Sequence, residues 1–415
     1  MCQSSCKVTV PTTSLLIWED VIVLQKEVAR NASVTVPTLR GDARAPLRGF
    51  APDGSDSAVH DMIAAATAQP VVGLFLFVSA TLDFDRIVRT AQRCAPGVPI
   101  AACTTAGEIT DTGYADDGIV AIGFPSELFD IVPVRVPDIK NIDRNALITR
   151  IIRNRAELKT RNPSLQHEFG FLLIDGLSMA EDDLMQALAP ALGSLNVFGG
   201  TAGDNRQFLK TRLWYAGRNL DQGAAIFLVR SRCRSKVFRT DNFTASKTRM
   251  VVTDADVGKR LVRRINDEPA GQEYARILGK DPLHLSLDTF AAHPVAVRVG
   301  AAHHIRAIQE ITEEGHLIFA SAIDQGMVLS LAEAEPIVPH LERFLAELAS
   351  PQRPAMVLGF ECLLRRLAST QSQCAADVSA VFRKYGLIGF STYGEQYNTL
   401  HVNQTLVGVA FFPAV

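Results

Sequence analysis

The chain has 415 residues, 47% of them hydrophobic and 21% charged, with a formal net charge of −2. At roughly 100–200 residues per domain this is enough chain for two or three domains with a sizeable core. It is too apolar for disorder and too neutral for bulk attraction to nucleic acid or an anionic membrane. No stretch approaches ~18–20 uninterrupted apolar residues, so no membrane span is expected. The apolar stretch at residues 14–24 is broken by Glu19 and Asp20, which argues against a secretory signal. Seven scattered cysteines suit a reducing, cytoplasmic compartment. Cys2 and Cys6 make half a zinc site at most and read as free thiols on a tail.

Residues 1–50 lack sustained periodicity and read as a poorly ordered leader. A buried strand is predicted over residues 71–78, then a helix with Thr81 as its N-cap and Ile87, Val88, Ala91 and Cys94 inward. Strands over 98–103 and 118–124 flank Thr105-Ala106-Gly107-Glu108. The same plan returns at a strand over 169–174, followed by a helix opened by the capping-box pair Ser178 and Glu181, in which Pro190 predicts a kink or an early end. The next strand, 195–198, runs into Thr201-Ala202-Gly203-Asp204. Strands over 212–216 and 223–229 complete this second unit. Residues 256–280 look helical, residues 294–331 read as a β-meander punctuated by Gly300, Gly315 and Gly326, and a helix follows over 335–349. The third unit has a strand over 355–360, a helix over 372–385, a strand over 387–390 running into Thr392-Tyr393-Gly394-Glu395, and a last strand over 405–412.

Strand, helix, strand, Thr-x-Gly-acid, strand thus occurs three times. The expected fold class is α/β, with mixed sheets built from repeated βαβ-type units flanked by helices. Two domains are expected, 51–255 and 256–415, with a β-meander at the start of the second. In a βαβ pair the repeated loops leave the carboxyl ends of parallel strands, where open α/β sheets bind ligands. Glycine permits a sharp turn or a close approach to the backbone. Thr105, Thr201 and Thr392 can donate hydroxyls there. Glu108, Asp204 and Glu395 can accept from cationic groups, or else can cap backbone N–H groups and shape the turns. None of the loops is a phosphate-binding loop, and nucleotide binding has no support. No serine-hydrolase elbow and no His-Glu-x-x-His is present. Cys362 lies beside Arg365 and Arg366, which could lower a thiol pKa, though a small core cysteine is the simpler reading.

The residues Cys103-Thr104-Thr105-Ala106-Gly107-Glu108-Ile109, Phe198-Gly199-Gly200-Thr201-Ala202-Gly203-Asp204, Gly389-Phe390-Ser391-Thr392-Tyr393-Gly394-Glu395 and His401-x-Asn403-x-Thr405 resemble the FIST sensory proteins over about residues 65–412. The resemblance implies a cytoplasmic, bacterial sensor in which residues 51–255 form the FIST N-type domain and 256–415 the FIST C-type domain. It binds a small molecule or gas and acts in trans on a histidine kinase or a diguanylate cyclase or phosphodiesterase. A homodimer is one assembly open to such a protein. The ligand site this implies comprises Thr105, Gly107, Glu108, Thr201, Gly203, Asp204, Arg365, Thr392, Tyr393, Gly394, Glu395 and Asn403.

A narrower resemblance runs from Thr289-Phe290-Ala291-Ala292-His293-Pro294 through Ile305-Arg306-Ala307-Ile308-Gln309 to Ile323-Asp324-Gln325-Gly326, together with Cys362-Leu363-Leu364-Arg365-Arg366 and Tyr393-Gly394-Glu395-Gln396. It is to stand-alone members proposed to bind haem and sense nitric oxide in two-component signalling. It implies non-covalent haem b, since no Cys-x-x-Cys-His is present, with His293 as the iron ligand ahead of His304, His316 and His401. The alternative is a haem-free binding protein for an amino acid or similar metabolite, in which the loop carboxylates meet an ammonium group and Arg365 a carboxylate. A hydrolase using Cys362 is the remaining reading. The expectation is a protein that is not an enzyme.

Overall fold

The computed structural model describes residues 44–300 and 302–414. Most of the expected leader, residues 1–43 of 1–50, and both tail cysteines, Cys2 and Cys6, lie outside the described residues. The rest of that expected leader is not poorly ordered: Leu47–Ala51 is strand β1, paired with residues 119–123 ahead of the long apolar stretch at Val71.

The first module runs β1, α1 (Asp56–Ala66), β2 (Val71–Ser79), α2 (Phe84–Cys94), β3 (Ile100–Thr105), β4 (Glu108–Thr110), β5 (Gly113–Ala115) and β6 (Ile119–Pro125). The second repeats it as β7 (Phe129–Val136), α3 (Arg144–Arg161), β8 (His167–Ile174), α4 (Glu181–Leu192), β9 (Val197–Thr201), β10 (Leu213–Tyr215), β11 (Arg218–Asn219) and β12 (Ala224–Ser231). The third opens at β13 (Ser235–Thr240) and is then interrupted. A separate sheet region intervenes, comprising β14 (Phe243–Asp256), β15 (Leu261–Ile265), β16 (Glu268–Pro269), α5 (Ala270–Leu278), α6 (Leu287–Ala292), β17 (Val295–Val299), β18 (Ala302–Arg306), β19 (Ile308–Ile311), β20 (Leu317–Phe319) and β21 (Val328–Ala334). The third module resumes with α7 (Ile337–Leu348), β22 (Met356–Cys362), α8 (Leu363–Gln371), α9 (Ala375–Tyr385), β23 (Leu387–Thr392), β24 (Glu395–Tyr397), β25 (Leu400–Val402) and β26 (Leu406–Phe411).

Each module makes a mixed four-stranded sheet in which a parallel pair is flanked by antiparallel strands: β1-β6-β2-β3, β7-β12-β8-β9 and β13-β26-β22-β23. The hairpin that follows each Thr-x-Gly-acid corner leaves its own sheet. Hairpin β4–β5 pairs with β23, β10–β11 with β3, and β24–β25 with β9. The exchange is cyclic: the first module extends the third, the second extends the first, and the third extends the second.

The strands are apolar on both faces, as sheets covered on both sides must be. Along β2, Phe75 and Phe77 point to the centre, while Leu74, Leu76 and Val78 pack under α1 and α2. In the second module Phe169 and Phe171 point inward, and Leu172 and Ile174 meet α3 and α4. The three inner faces share one phenylalanine-rich core. Phe75 meets Phe171 at 4.8 Å between ring centroids, Phe77 meets Phe390 at 4.6 Å, and Phe198 meets Phe360 at 5.2 Å, so every pair of sheets is joined by aromatic contact.

Several local expectations give way to the structure. Within the segment 256–280, read as helical, residues 261–265 are strand β15; only a 3-10 turn at Val257–Lys259 and the α-helix Ala270–Leu278 are helical. The strand at 212–216 does not complete the second module; as β10 it extends the first sheet. Helix α2 is capped by Asp83, not Thr81, which instead bonds Asp117. Helix α4 has no side-chain cap: its N-cap position is Ala180, two residues beyond Ser178, and the Glu181 carboxylate is drawn to Arg260. Pro190 is accommodated near its end, since the helix stops at Leu192. Helix α8 is a further element that the sequence reading did not anticipate.

Phe360 touches Phe77, Phe198 and Phe390 where the three sheets converge. Phe360→Ala is expected to lower unfolding free energy by about 3–5 kcal/mol in a denaturant titration. A loss near that of an exposed substitution would show the core to be less shared than this packing requires.

Candidate functional site

The three corners meet at the centre of the molecule. Ala106 N–H donates to Ser391 O at 2.8 Å and Ser391 N–H to Gly107 O at 2.7 Å, joining the first corner to the third. Gly203 N–H donates to Thr104 O and Thr201 N–H to Gly394 O, each at 3.0 Å, joining the second corner to the other two. The hydroxyls of Thr201 and Thr392 lie 3.3 Å apart inside this junction. Gly107 has φ +120°, and a Cβ there would lie 1.8 Å from Arg366 Nη1, so only glycine allows the turn together with the guanidinium against it.

The corner acids face inward. Glu108 accepts the Gly118 N–H at 3.2 Å and shares a hydrogen bond with the Thr105 hydroxyl. Glu395 has the equivalent partner ten residues on, accepting the Thr405 N–H at 3.2 Å and its hydroxyl at 2.8 Å. Asp204 accepts the N–H groups of Phe208, Leu209 and Lys210 at 2.8, 2.8 and 2.6 Å. These carboxyl groups brace the hairpins, and none of the three lines the cavity described next. Burial pushes the Glu108 carboxyl up to about 7 and the Glu395 carboxyl well above the usual range.

That cavity, of about 490 Å³, lies beyond the carboxyl ends of β8, β9, β22 and β23. Gly176, Leu177, Thr201, Leu363, Leu364, Tyr393 and Gly394 form its near wall. The inserted region supplies the far wall through Arg260, Leu261, Gln309, Ile318 and Ala320. The Tyr393 ring stacks on Phe208 at 4.2 Å, and its hydroxyl accepts the Asp204 N–H at 2.9 Å and bonds the Asp204 carboxyl. A Cβ on Gly394 would lie 2.4 Å from His401 Cε1, so the bare glycine makes room for the imidazole in the wall. His401 Nε2 donates to Ala320 O at 3.3 Å, which leaves Nδ1 to accept from the Gln396 amide at 3.1 Å. Asn403 is fully buried beside this ring and does not line the cavity.

Arg260 clamps the two walls together. Its Nη2 lies 2.6 Å from Glu181 and 3.1 Å from Asp182, and its Nη1 donates to Ala320 O at 2.7 Å. Lys259 and Glu310 stand exposed at the rim and bring both signs of charge to the mouth. Sequence reasoning missed this set. Glu181 looked like a capping partner, and Arg260 lay in a stretch read as helix; no local signal pairs residues 79 apart.

Of the site residues expected from sequence, Thr201, Tyr393 and Gly394 line the cavity. Thr105, Gly107, Glu108, Gly203, Asp204, Thr392 and Glu395 build the junction behind it. Arg365 is directed elsewhere, into a second cavity, with Nε on Glu361 at 3.1 Å and Nη1 on Asn242 at 2.5 Å. The Cys362 thiol does not match the activated nucleophile considered above. It is buried, and desolvation and Glu395 push its pKa well above the ordinary value; the guanidinium groups of Arg365 and Arg366 are engaged by Glu361 and Asp116.

His293 caps α6 outside the cavity, and burial lowers its pKa. Of the other histidines named with it, His304 bonds Arg239, and His401 is held as described.

An apolar cavity at strand ends, floored by two sheets and roofed by a third region, is where α/β proteins commonly hold small ligands. Residues 73–268 match the FIST N domain and residues 270–398 the FIST C domain, so the chain is built from the two FIST domains. These are associated with signal transduction and small-ligand sensing. The match changes from one domain to the other inside the inserted region, between β16 and α5. No curated protein matches the chain. Among the described residues, no helix is long and apolar enough to cross a membrane.

The raised pKa of Glu108 gives this junction a pH signature. The fold favours the protonated acid, so the unfolded chain binds fewer protons between 4.5 and about 7 and stability falls as pH rises through that window. Glu108→Gln is expected to flatten this part of the melting-temperature profile relative to wild type. Superimposable slopes for the two proteins would remove Glu108 as its source.

Proposed function

We propose that this chain is a sensor whose small ligand binds in the cavity between the modules and the inserted region, and that it acts on a separate signalling protein. Such a protein would be a histidine kinase, or a diguanylate cyclase or phosphodiesterase. The observation that carries the reading is the two-sided cavity itself: about 490 Å³, within the range of small-molecule sites, with walls from both regions and a buried ion-pair clamp between them. A ligand touching both walls changes their relative stability, which is the physical requirement for occupancy to alter a surface elsewhere.

The ligand favoured is an amphipathic molecule of the amino-acid class. Leu177, Leu261, Leu287, Ile318 and Leu364 suit an apolar side chain, while Lys259 and Glu310 at the rim suit its carboxylate and ammonium groups. Haem fits these residues poorly. His293 stands off the cavity, and the one histidine in its wall, His401, has both ring nitrogens engaged by Ala320 and Gln396. The nitric-oxide reading therefore finds no support in the geometry.

Calorimetric titration of the full chain with apolar L-amino acids tests the proposal. Saturable binding to wild type that is lost in Leu177→Trp, a half-buried lining residue enlarged into the cavity, is the expected result. Binding that survives Leu177→Trp unchanged would place the ligand elsewhere and remove the basis of this reading.

A further inference from the structure

A second cavity, of about 450 Å³, shares a partition with the first. Helices α6 and α8 form that partition. Leu287, Leu363 and Leu364 face the first cavity, while Ala291, Ala292 and Ala368 face the second. Phe243, Ile337 and Val338 complete an apolar lining in which the small alanine side chains leave the space.

Into this lining is set one charged group that is only 1% exposed, the guanidinium of Arg365. Its Nε is taken by Glu361 and its Nη1 by Asn242, while Nη2 is buried without an acceptor. Buried guanidinium donors normally find acceptors, so an unpartnered Nη2 on a residue that lines the cavity marks a place for one. A second positive pole also lines this cavity. Helix α7, 12 residues long, begins at Ile337 with no side-chain cap, Pro336 precedes it, and Pro339 contributes no N–H. Its first-turn N–H groups and dipole therefore favour an anion there.

The negative groups nearby are occupied. Glu361 also accepts the Tyr114 hydroxyl at 2.6 Å, and Glu335 at the rim pairs with Arg343 at 3.3 Å and His340 at 3.6 Å. An incoming anion would meet Arg365 and the helix start without displacing a protein carboxylate.

We propose that this second cavity is a separate binding site for a small monocarboxylate with an apolar body. The carboxylate accepts from Arg365 Nη2 and the start of α7, and the body fills the alanine-lined space. The site is independent of the amino-acid reading of the first cavity. Because α6 and α8 line both, it is also placed to influence that cavity.

Calorimetry on the full chain with benzoate, and with benzamide as a neutral molecule of the same shape, tests this directly. Benzoate is expected to bind saturably and benzamide at least about tenfold more weakly, as a charge-assisted contact requires. Arg365→Lys keeps a positive charge beside Glu361 but removes the Nη2 edge, and is expected to weaken benzoate by a similar factor. Ala368→Leu fills the cavity without touching the guanidinium, so it tests the site even if Arg365→Lys fails to fold; it is expected to abolish benzoate binding, while Leu177→Trp in the first cavity leaves it intact. No saturable benzoate binding, equal binding of benzamide, or benzoate binding that survives Ala368→Leu and is lost in Leu177→Trp would each overturn the proposal.

Discussion

The molecule depends on one shared interior. Each of the three module sheets is apolar on both faces, and helices cover only the outer one. The inner faces of β2, β8 and β22 must therefore be buried against one another, and the phenylalanines that fill the space belong to all three modules at once. Hydrogen bonding reinforces the same arrangement: the outermost strands beyond β3, β9 and β23 are each supplied by a different module. A module by itself would expose both an aromatic face and an unpaired strand edge.

The Thr-x-Gly-acid corners follow from that exchange. At each one the chain must leave its own sheet at the centre of the protein and enter its neighbour's, where its backbone and side-chain polar groups are cut off from water. The threonines and acids answer this locally, Glu108 with Thr105 and Gly118, Glu395 with Thr405, and Asp204 with three consecutive backbone amides. The motif is thus chiefly architectural. It reaches ligand-accessible space only where the second and third corners come up beneath the inserted region, at Thr201, Tyr393 and Gly394.

The insertion between β13 and α7 turns a symmetric core into one with a distinct face. Arg260 crosses from the insertion to Glu181 and Asp182 at the start of α4. A buried pair of this kind is held because breaking it leaves a charge without its partner, not because burying it is favourable. In the proposed sensor, this clamp and the α6–α8 partition are the elements whose positions a bound molecule biases.

Much of this was legible in the sequence. Apolar stretches such as Val71–Ser79, helical spacing such as that of Val378, Val381 and Phe382, and the three repeated motifs are properties of short segments, and they determined the α/β class, the repeat and most strands. Which face of β2 takes Phe75 and which takes Leu74 was not legible, because a strand buried on both sides shows no alternation. Nor was the destination of hairpin β10–β11, or the distant partners of Arg260 and Arg365, Glu181 and Asn242. Hydrogen-bond edges and buried charges are completed by whatever segment the fold brings alongside. For Arg365 and Asn242 that segment lies 123 residues away, a distance at which only the tertiary structure decides.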